Sequence, residues 1–210
     1  MQPPAALRPA PRLRRAGLFL LLLLAALAAP AWTVYYKEQF YRLYHQHYIQ
    51  YPDDSIENIK WLEEAKRADF CNPLYALATI ENPKQWERYR ALLDMHLDLK
   101  LIEQHLILGS KYDKRVAYFF NAPWKDQNLE SLKTAEAAYR AALAYWPEAK
   151  ELAAKAMALR WTDVRGAEAW TDEAFRITEG DLDYGRIIGG ELARLSRVRA
   201  EFEKMDKSTY

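Results

Sequence analysis

An uncharged run of 21 residues, from Ala16 to Tyr36, constrains this chain more than any other feature. Four arginines precede the run, and no acidic residue occurs before Glu38. Most residues between Gly17 and Ala31 are leucine or alanine, which favour helix. At about 1.5 Å per residue, a helix of this length crosses the roughly 30 Å hydrocarbon core of a bilayer. The run therefore predicts a transmembrane helix, preceded by a basic cytoplasmic tail at residues 1–15.

A cleaved secretory signal peptide is the alternative interpretation of the same segment. The sequence Ala26-Leu27-Ala28 supplies a small-residue cleavage motif near the end of the apolar region. Apolar and aromatic residues nevertheless continue from Trp32 to Tyr36, as is typical of the outer edge of a spanning helix. The pattern favours a retained single-pass anchor at residues 16–36 in the inner (cytoplasmic) membrane. Both interpretations place the bulk of the chain outside the cytoplasm, in the periplasm.

The charge balance beyond the anchor excludes several kinds of partner. Four of the 30 basic residues lie in residues 1–36 and all 29 acidic residues follow them, so the remaining chain has a net charge of −3. Such a balance is not that of a nucleic-acid-binding protein. The single cysteine, Cys71, excludes an intrachain disulfide framework. A buried inert thiol is the favoured interpretation of Cys71, and a Cys71–Cys71 bridge in a homo-oligomer stays open.

The spacing of apolar residues and helix caps predicts an all-α fold. Glycine is nearly absent between residues 18 and 108, and the chain has only four valines, so the usual marks of strands are missing. We expect an aromatic juxtamembrane helix at residues 37–52, continuing the anchor from Val34, and then an antiparallel helical bundle at residues 53–210. The expected helices begin at Asp54, Asn72, Asn82, Ser110, Asp126 or Asn128, Pro147, Gly166 and after Gly180, and the one from Asn82 ends at Gly109.

A partial repeat motif lies in the Ala-rich segment. Ala135, Tyr139, Ala142 and Pro147 follow the spacing small–aromatic–small–proline. This resembles the second helix of a tetratricopeptide (TPR) repeat, which implies a TPR-like array in which the small residues pack between helices and the proline ends the unit. Pro123 departs from that pattern because it stands at the usual glycine position. An Ala-rich helix in an ordinary bundle is the other interpretation.

Three short segments carry a second resemblance, namely Asn72–Leu77, Trp86–Arg90 and Asn121–Trp124. Together with an anchored periplasmic chain, they look like small TPR-type proteins of spirochaetes. Some of those proteins belong to the collar around the periplasmic flagellar motor. The resemblance implies a structural subunit of an envelope machine.

No residue pattern predicts a catalytic, cofactor or metal site. The four histidines lack metal-ligand spacing, and no nucleophile elbow or glycine-rich phosphate loop occurs. Asp94, His96 and Asp98 alternate along a predicted helix, where their side chains spread around the axis. We therefore expect these three residues on a solvated face, and each histidine on a polar face or rim.

Aromatic residues are the candidates for binding a partner. The chain has seven tryptophans and 14 tyrosines, more than a bundle of this size needs for its core. Large exposed aromatic side chains are common anchors of protein interfaces. For the juxtamembrane stripe of Tyr36, Phe40, Tyr44 and Tyr51, the alternative is a membrane-interface belt together with packing on its own domain. The predicted protein-binding residues are Tyr36, Phe40, Tyr44, Tyr51 and Trp124.

These features predict a non-enzymatic, membrane-anchored periplasmic scaffold that mediates protein–protein assembly of an envelope complex. Its predicted partners are membrane lipid, through the N-terminal helix, and other envelope proteins. The alternative is an envelope enzyme, or the accessory subunit of one, with a cleft between helices. A deep pocket with convergent polar groups would favour the enzyme, whereas a broad aromatic surface would favour the scaffold.

Overall fold

Six α-helices make up most of the computed structural model, which describes residues 33–113 and 122–206. No strand occurs in these ranges; a single parallel bridge joins Tyr36 to Asp69. The prediction of an all-α fold is confirmed. The helices are α1 (Lys37–Gln50), α2 (Ser55–Arg67), α3 (Pro83–Asp113), α4 (Lys125–Ala158), α5 (Glu168–Glu179) and α6 (Tyr184–Lys204), with 3-10 turns at Pro73–Tyr75 and Ala122–Trp124.

The predicted anchor lies outside these ranges, except for residues 33–36, which are not helical. The Gln39 side chain accepts hydrogen bonds from the backbone N–H groups of Tyr35 and Tyr36, at 2.9 and 3.1 Å, and so satisfies donors at the start of α1. The expectation that α1 continues the anchor from Val34 is therefore wrong. Tyr35–Tyr210 forms a compact unit. None of the helices in the described ranges is long and apolar enough to cross a membrane.

Three helices begin where the sequence places a capping side chain. Asp54 accepts from the N–H of Glu57 at 3.2 Å, and Asn82 accepts from the N–H of Gln85 at 3.0 Å. Asp183 does the same for Arg186 at 3.0 Å. Each cap satisfies one of the donors that the first turn of a helix leaves without a partner.

Helices α3 and α4 run antiparallel and form the centre of the bundle. The side chain of Arg88, near the start of α3, donates to the Arg160 carbonyl just beyond the end of α4. At the other extreme, the Ser131 hydroxyl donates to the Tyr112 carbonyl. At about 1.5 Å per residue, the 31 residues of α3 span about 46 Å.

The bundle therefore has two ends. The proximal end, at which the chain enters α1, holds the starts of α1 and α3 and the end of α4. Segments 69–81 and 159–167 also lie at this end. These segments are tied together there by hydrogen bonds such as that from the Thr79 N–H to the Arg165 carbonyl, at 2.9 Å. The distal end holds the turn between α1 and α2, the end of α3 and the start of α4, and Lys111 contacts both the Asp53 carbonyl and the Ser55 hydroxyl there.

A row of small residues runs along α4. Ala135, Ala142, Ala149 and Ala156 recur every seven residues, and all are fully buried. A seven-residue period keeps one face of a helix turned toward a neighbour, and alanine lets the two backbones approach closely. Tyr139 is buried on the same helix, so three of the four predicted TPR-like packing residues lie in the core.

The fourth, Pro147, does not end a helix. It lies inside α4, so the repeat boundary predicted there is wrong. A proline inside a helix removes the hydrogen bond to the carbonyl four residues earlier, at a cost of about 3 kcal/mol. Trp146 and Ala149 are buried on either side of it, and their packing offsets this loss.

Three other predicted helix limits also differ from the structure, and one of them, the start predicted at Ser110, lies inside α3. Helix α3 passes through Gly109 to Asp113. Gly109 is buried inside the helix, where the Tyr139 ring leaves no room for a side chain. The helix predicted at residues 73–80 is only the turn Pro73–Tyr75, because the peptide groups that follow it bond elsewhere. The Leu77 N–H, for example, donates to the Tyr89 hydroxyl at 3.1 Å.

We predict that Gly109→Ala destabilises the protein by about 1–3 kcal/mol. The added methyl group would overlap the Tyr139 ring, which is fixed by its hydrogen bond to Asp113 at 3.0 Å. Gly190→Ala is the matched control, since it lies in α6 with nothing near the new methyl group, and it should stabilise by up to about 1 kcal/mol. Urea unfolding followed by circular dichroism measures both, and equal shifts would contradict the proposed contact.

Candidate functional site

The alternating residues Asp94, His96 and Asp98 of α3 contact other helices, and we call them the α3 polar row. His96 and Asp98 are buried and Asp94 is half-buried, so the prediction of a solvated face is wrong. Their side chains do spread around the helix axis as predicted, but α3 is surrounded by other helices instead of facing solvent.

The first member of the α3 polar row joins α3 to the start of α1. Asp94 forms a 2.5 Å ion pair with Lys37, whose side chain is almost fully buried. The Lys37 ammonium also donates to the Lys66 carbonyl at 3.3 Å and lies 4.7 Å from the centre of the Phe70 ring. Lys37 therefore joins the beginning of α1 to the end of α2 as well as to α3.

His96 links three helices, and two of the residues that it contacts, Tyr41 and Trp170, line a surface pocket. Its Nε2 lies 2.9 Å from the Tyr41 hydroxyl of α1, and its Nδ1 lies 2.6 Å from the Glu173 carboxylate of α5. The Trp170 ring lies 5.2 Å from the imidazole. The adjacent pocket has a volume of about 260 Å³ and is lined by Tyr41, Arg42, His45, Gln46, Leu77 and Trp170.

The carboxylate–imidazole–hydroxyl arrangement resembles an acid–base relay, but its hydroxyl is a poor nucleophile. Burial, followed by the nearby carboxylates of Glu173 and Glu103, raises the pKa of Tyr41 to about 12. The pocket is also smaller than the roughly 300–1,000 Å³ usual for small-molecule sites. We interpret the arrangement as a structural link between α1, α3 and α5.

Asp98 is fully buried and pairs with Lys66 of α2 at 2.6 Å; Lys66 also pairs with Glu148 of α4 at 2.9 Å. Burial raises the pKa of Asp98 to about 7, although Lys66 acts in the opposite direction. The pKa of Lys66 is itself raised, because its two carboxylate partners outweigh its burial. The effect of burial on the pKa of Asp98 thus outweighs that of its ion pair with Lys66.

His105 is a further titratable group of α3, half-buried overall but with both ring nitrogens buried. Both ring nitrogens lack a hydrogen-bond partner, and the ring stacks on Tyr145 at 5.9 Å. Burial lowers the pKa of His105, while Glu63 of α2 acts in the opposite direction. The predicted polar-face positions are therefore wrong for His96 and His105, since both rings face other helices.

A second polar network fixes the proximal end around Glu38, which is buried at the start of α1. Its carboxylate accepts from the Cys71 N–H at 2.9 Å and from the Tyr89 hydroxyl at 3.2 Å. The Tyr89 hydroxyl in turn accepts from the Leu77 N–H. This network joins α1, α3 and segment 69–81.

Cys71 is buried as a free thiol in this network. Burial, followed by the Glu38 carboxylate, raises the pKa of the Cys71 thiol to about 12. A thiol in such surroundings is a poor nucleophile. Its burial agrees with the interpretation of an inert thiol.

Helix α6 closes the bundle through two arginines. Arg194 contacts the buried carboxylate of Asp113, and Arg199 pairs with Glu136 of α4. The apolar side chains of Ile188, Leu195 and Phe202 are buried beneath the helix. Within the described ranges, histidine, cysteine and acidic side chains form no cluster that could hold a metal ion.

The predicted protein-binding residues do not form one surface. Tyr44 is only 3% exposed and packs in the core, so it cannot contact a partner in this fold. Phe40 is half-buried and its ring lies 6.4 Å from that of Trp61. Tyr36 is exposed at the proximal end, whereas Tyr51 and Trp124 are exposed at the distal end. Binding by these three remains a prediction.

Exposed large apolar side chains concentrate at the two ends of the bundle. Of twelve in the described part of the chain, only Phe175 and Ile187 lie elsewhere. We call the two sets the proximal patch and the distal patch. The proximal patch is Tyr35, Tyr36, Leu74, Tyr75 and Trp161; the distal patch is Ile49, Tyr51, Ile56, Tyr112 and Trp124.

We predict that Tyr89→Phe destabilises the protein by about 2–4 kcal/mol. The change removes a donor to buried Glu38 and leaves the Leu77 N–H without its acceptor. Tyr75→Phe, at an exposed position nearby, should change the free energy of unfolding by less than about 0.5 kcal/mol. Urea unfolding of both variants tests this, and a similar effect for both would refute the proposed network.

We predict that Asp98→Asn changes the pH dependence of stability. The native carboxyl, with a pKa of about 7, binds its proton more tightly than in the unfolded chain, whose ordinary value is 3.8. Wild-type stability therefore loses on the order of a few kcal/mol through this group as pH rises from about 4 to about 7. The variant lacks this loss, so it gains stability relative to wild type over that range.

Urea unfolding at a series of pH values measures this gain. Asp172→Asn, on the exposed side of α5, is the control for removing a carboxylate and should change stability by no more than about 0.5 kcal/mol. A difference between Asp98→Asn and wild type that is the same at every pH would show that Asp98 does not titrate as described.

Comparison with known proteins adds a family but no activity. Neither a curated protein nor a solved structure matches the chain. Residues 84–205 match a sequence family described as "Domain of unknown function (DUF8513)". The match covers more than half of the chain, from the first turn of α3 past the end of α6. The chain therefore belongs to the DUF8513 family.

Proposed function

We propose that this protein is a membrane-anchored periplasmic scaffold that binds other envelope proteins through its distal patch. In this proposal residues 16–36 hold the chain in the inner membrane, with the N-terminus in the cytoplasm. Because residues 33–36 are not helical, the spanning helix would end by Trp32. Ala16–Trp32 would then span about 26 Å, close to the thickness of the hydrocarbon core.

The observation that supports binding is the position of the exposed apolar side chains. Tyr51 is 57% exposed and Trp124 is 46% exposed, both at the end opposite the point where the chain enters α1. Large apolar side chains gain about 1.5–3 kcal/mol each when they are moved from water into an interface. Buried Tyr and Trp are also the most frequent anchors of protein–protein contacts. The distal patch is therefore the best candidate for a partner protein.

The chemistry of the buried polar groups supports a scaffold better than the alternative of an enzyme. Tyr41 supplies the hydroxyl that contacts His96, and Cys71 supplies the thiol in the Glu38 network. The pKa values of both groups are raised. The pocket beside the relay is open at the surface and small. These polar groups link helices, which is what a rigid binding module requires.

The resemblance to spirochaetal TPR-type proteins suggests the first assembly to test, the collar around the periplasmic flagellar motor. A homo-oligomer formed through the distal patch is compatible with the same surface. A Cys71–Cys71 bridge would require the buried thiol to become exposed first. The proposal therefore does not include that bridge.

We predict that replacing Tyr51, Ile56 and Trp124 together by serine releases partners from the full-length protein. Loss of one interface anchor costs about 2 kcal/mol or more, so retention of a specific partner should fall more than about tenfold. The measurement is photo-crosslinking and co-purification from native membranes, with the crosslinker placed at Ile49. The parent chain with the same crosslinker provides the reference.

Phe175→Ser combined with Ile187→Ser is the matched control, because these residues are exposed but lie outside both patches. The control should retain the partner, and both variants should keep wild-type helicity. Retention of the partner by the distal variant would exclude the distal patch from the interface.

A further inference from the structure

We infer that the proximal patch lies on the bilayer, with Leu74, Tyr75 and Trp161 inserted among the lipid headgroups. This inference rests on the proposed anchor, and it adds a second, independent contact with the membrane. The occupant of the proximal patch is thus lipid rather than a protein partner.

The length of the connecting chain places the proximal end near the membrane. The Lys37 N–H donates to the Asp69 carbonyl at 2.8 Å, which fixes the start of α1 against segment 69–81. Only five steps of chain separate Trp32, the last residue of the proposed span, from Lys37. Five extended residues reach at most about 18 Å, whereas α3 alone is about 46 Å long. The proximal end can therefore touch the bilayer, and the distal end cannot when α3 stands upright.

Hydrogen bonds to α3 fix segment 159–167, the proximal loop, with the side chain of Trp161 facing outward. Arg88 is buried, and its Nη1 donates to the carbonyls of Arg160 and Thr162 at 3.3 and 2.6 Å, one on each side of Trp161. Gln85 donates to the Asp163 carbonyl at 2.9 Å in the same loop. The loop is thus fixed to α3 at the carbonyls of residues 160, 162 and 163, yet Trp161 is 86% exposed.

The other members of the proximal patch share this arrangement. Leu74 is 84% exposed in a turn that Asn72 caps at the Leu74 N–H, at 3.0 Å. The Cys71–Glu38 and Leu77–Tyr89 hydrogen bonds fix the chain on either side of that turn. Tyrosine and tryptophan are enriched where a membrane meets water, because their rings combine an apolar body with a polar group.

The surrounding charges indicate which lipid is needed. Segments 69–90 and 160–168 expose four basic and five acidic side chains: Lys84, Arg90, Arg160 and Arg165, and Asp69, Glu81, Glu87, Asp163 and Glu168. Such a nearly balanced surface has no net attraction to anionic lipid. The contact should therefore form on zwitterionic phosphatidylcholine and persist at high salt.

The test uses the full chain in phosphatidylcholine vesicles in which part of the lipid is brominated near the top of its acyl chains. Bromine quenches tryptophan fluorescence only at short range, so the quenched signal reports rings at the interface. Trp161→Phe should reduce the fluorescence that bromine quenches by about the emission of one tryptophan, that is, about one seventh of the total emission of the protein. Trp124→Phe, the matched change in the distal patch, should leave it unchanged.

A labelled cysteine gives a second measurement. Cys71 is buried, so a polarity-sensitive thiol probe will react with an introduced cysteine instead. The probe on Leu74→Cys should shift to the blue and gain intensity when the protein enters vesicles. The same probe on Ile56→Cys, which is similarly exposed at the distal end, should not.

Three outcomes are distinguishable by flotation of the vesicles. Protein that floats and shows both proximal signals supports the inference. Protein that floats without either signal overturns the inference and leaves the anchor standing. Protein that does not float with the vesicles overturns the anchor, and the inference with it.

Discussion

The fold depends on polar side chains that α3 carries into the interior and that other helices neutralise. Asp94, His96 and Asp98 contact Lys37, Glu173 and Lys66, which belong to α1, α5 and α2. A buried charge without a partner is costly, so each of these contacts is available only in one arrangement of the helices. The α3 polar row therefore sets the register, while the apolar residues supply most of the stabilisation.

Some local signals in the sequence predicted the local structure. Asp54 and Asn82 act as caps where predicted, since a cap depends only on residues three positions apart. Features that depend on distant residues were not predictable in this way. Gly109 is typical of a helix end, but it lies inside α3. Glycine is needed there because the Tyr139 ring, thirty residues later, occupies the space of a side chain. Pro147 is likewise typical of a boundary between two helices, although core packing on both sides of it keeps α4 continuous.

The candidate surfaces show the same limit. The spacing of Tyr36, Phe40, Tyr44 and Tyr51 predicts a stripe on one helix. Phe40 and Tyr44 do lie on α1, whereas Tyr36 precedes the helix and Tyr51 follows it. Which part of it faces α3 depends on the position of α1 against the bundle, so Tyr44 is buried while Tyr51 is exposed. Trp161 gave no signal in the sequence, because its exposure follows from the buried Arg88, more than seventy residues earlier. The exposure of these side chains thus results from long-range contacts that the local sequence does not show.

The alanine row of α4 has a mechanical consequence. An alanine side chain has no rotamers, so two backbones in contact through alanines have little slack with which to absorb a push. We therefore expect a displacement applied to the start of α4 to be transmitted along the helix toward the loop beyond Ala158.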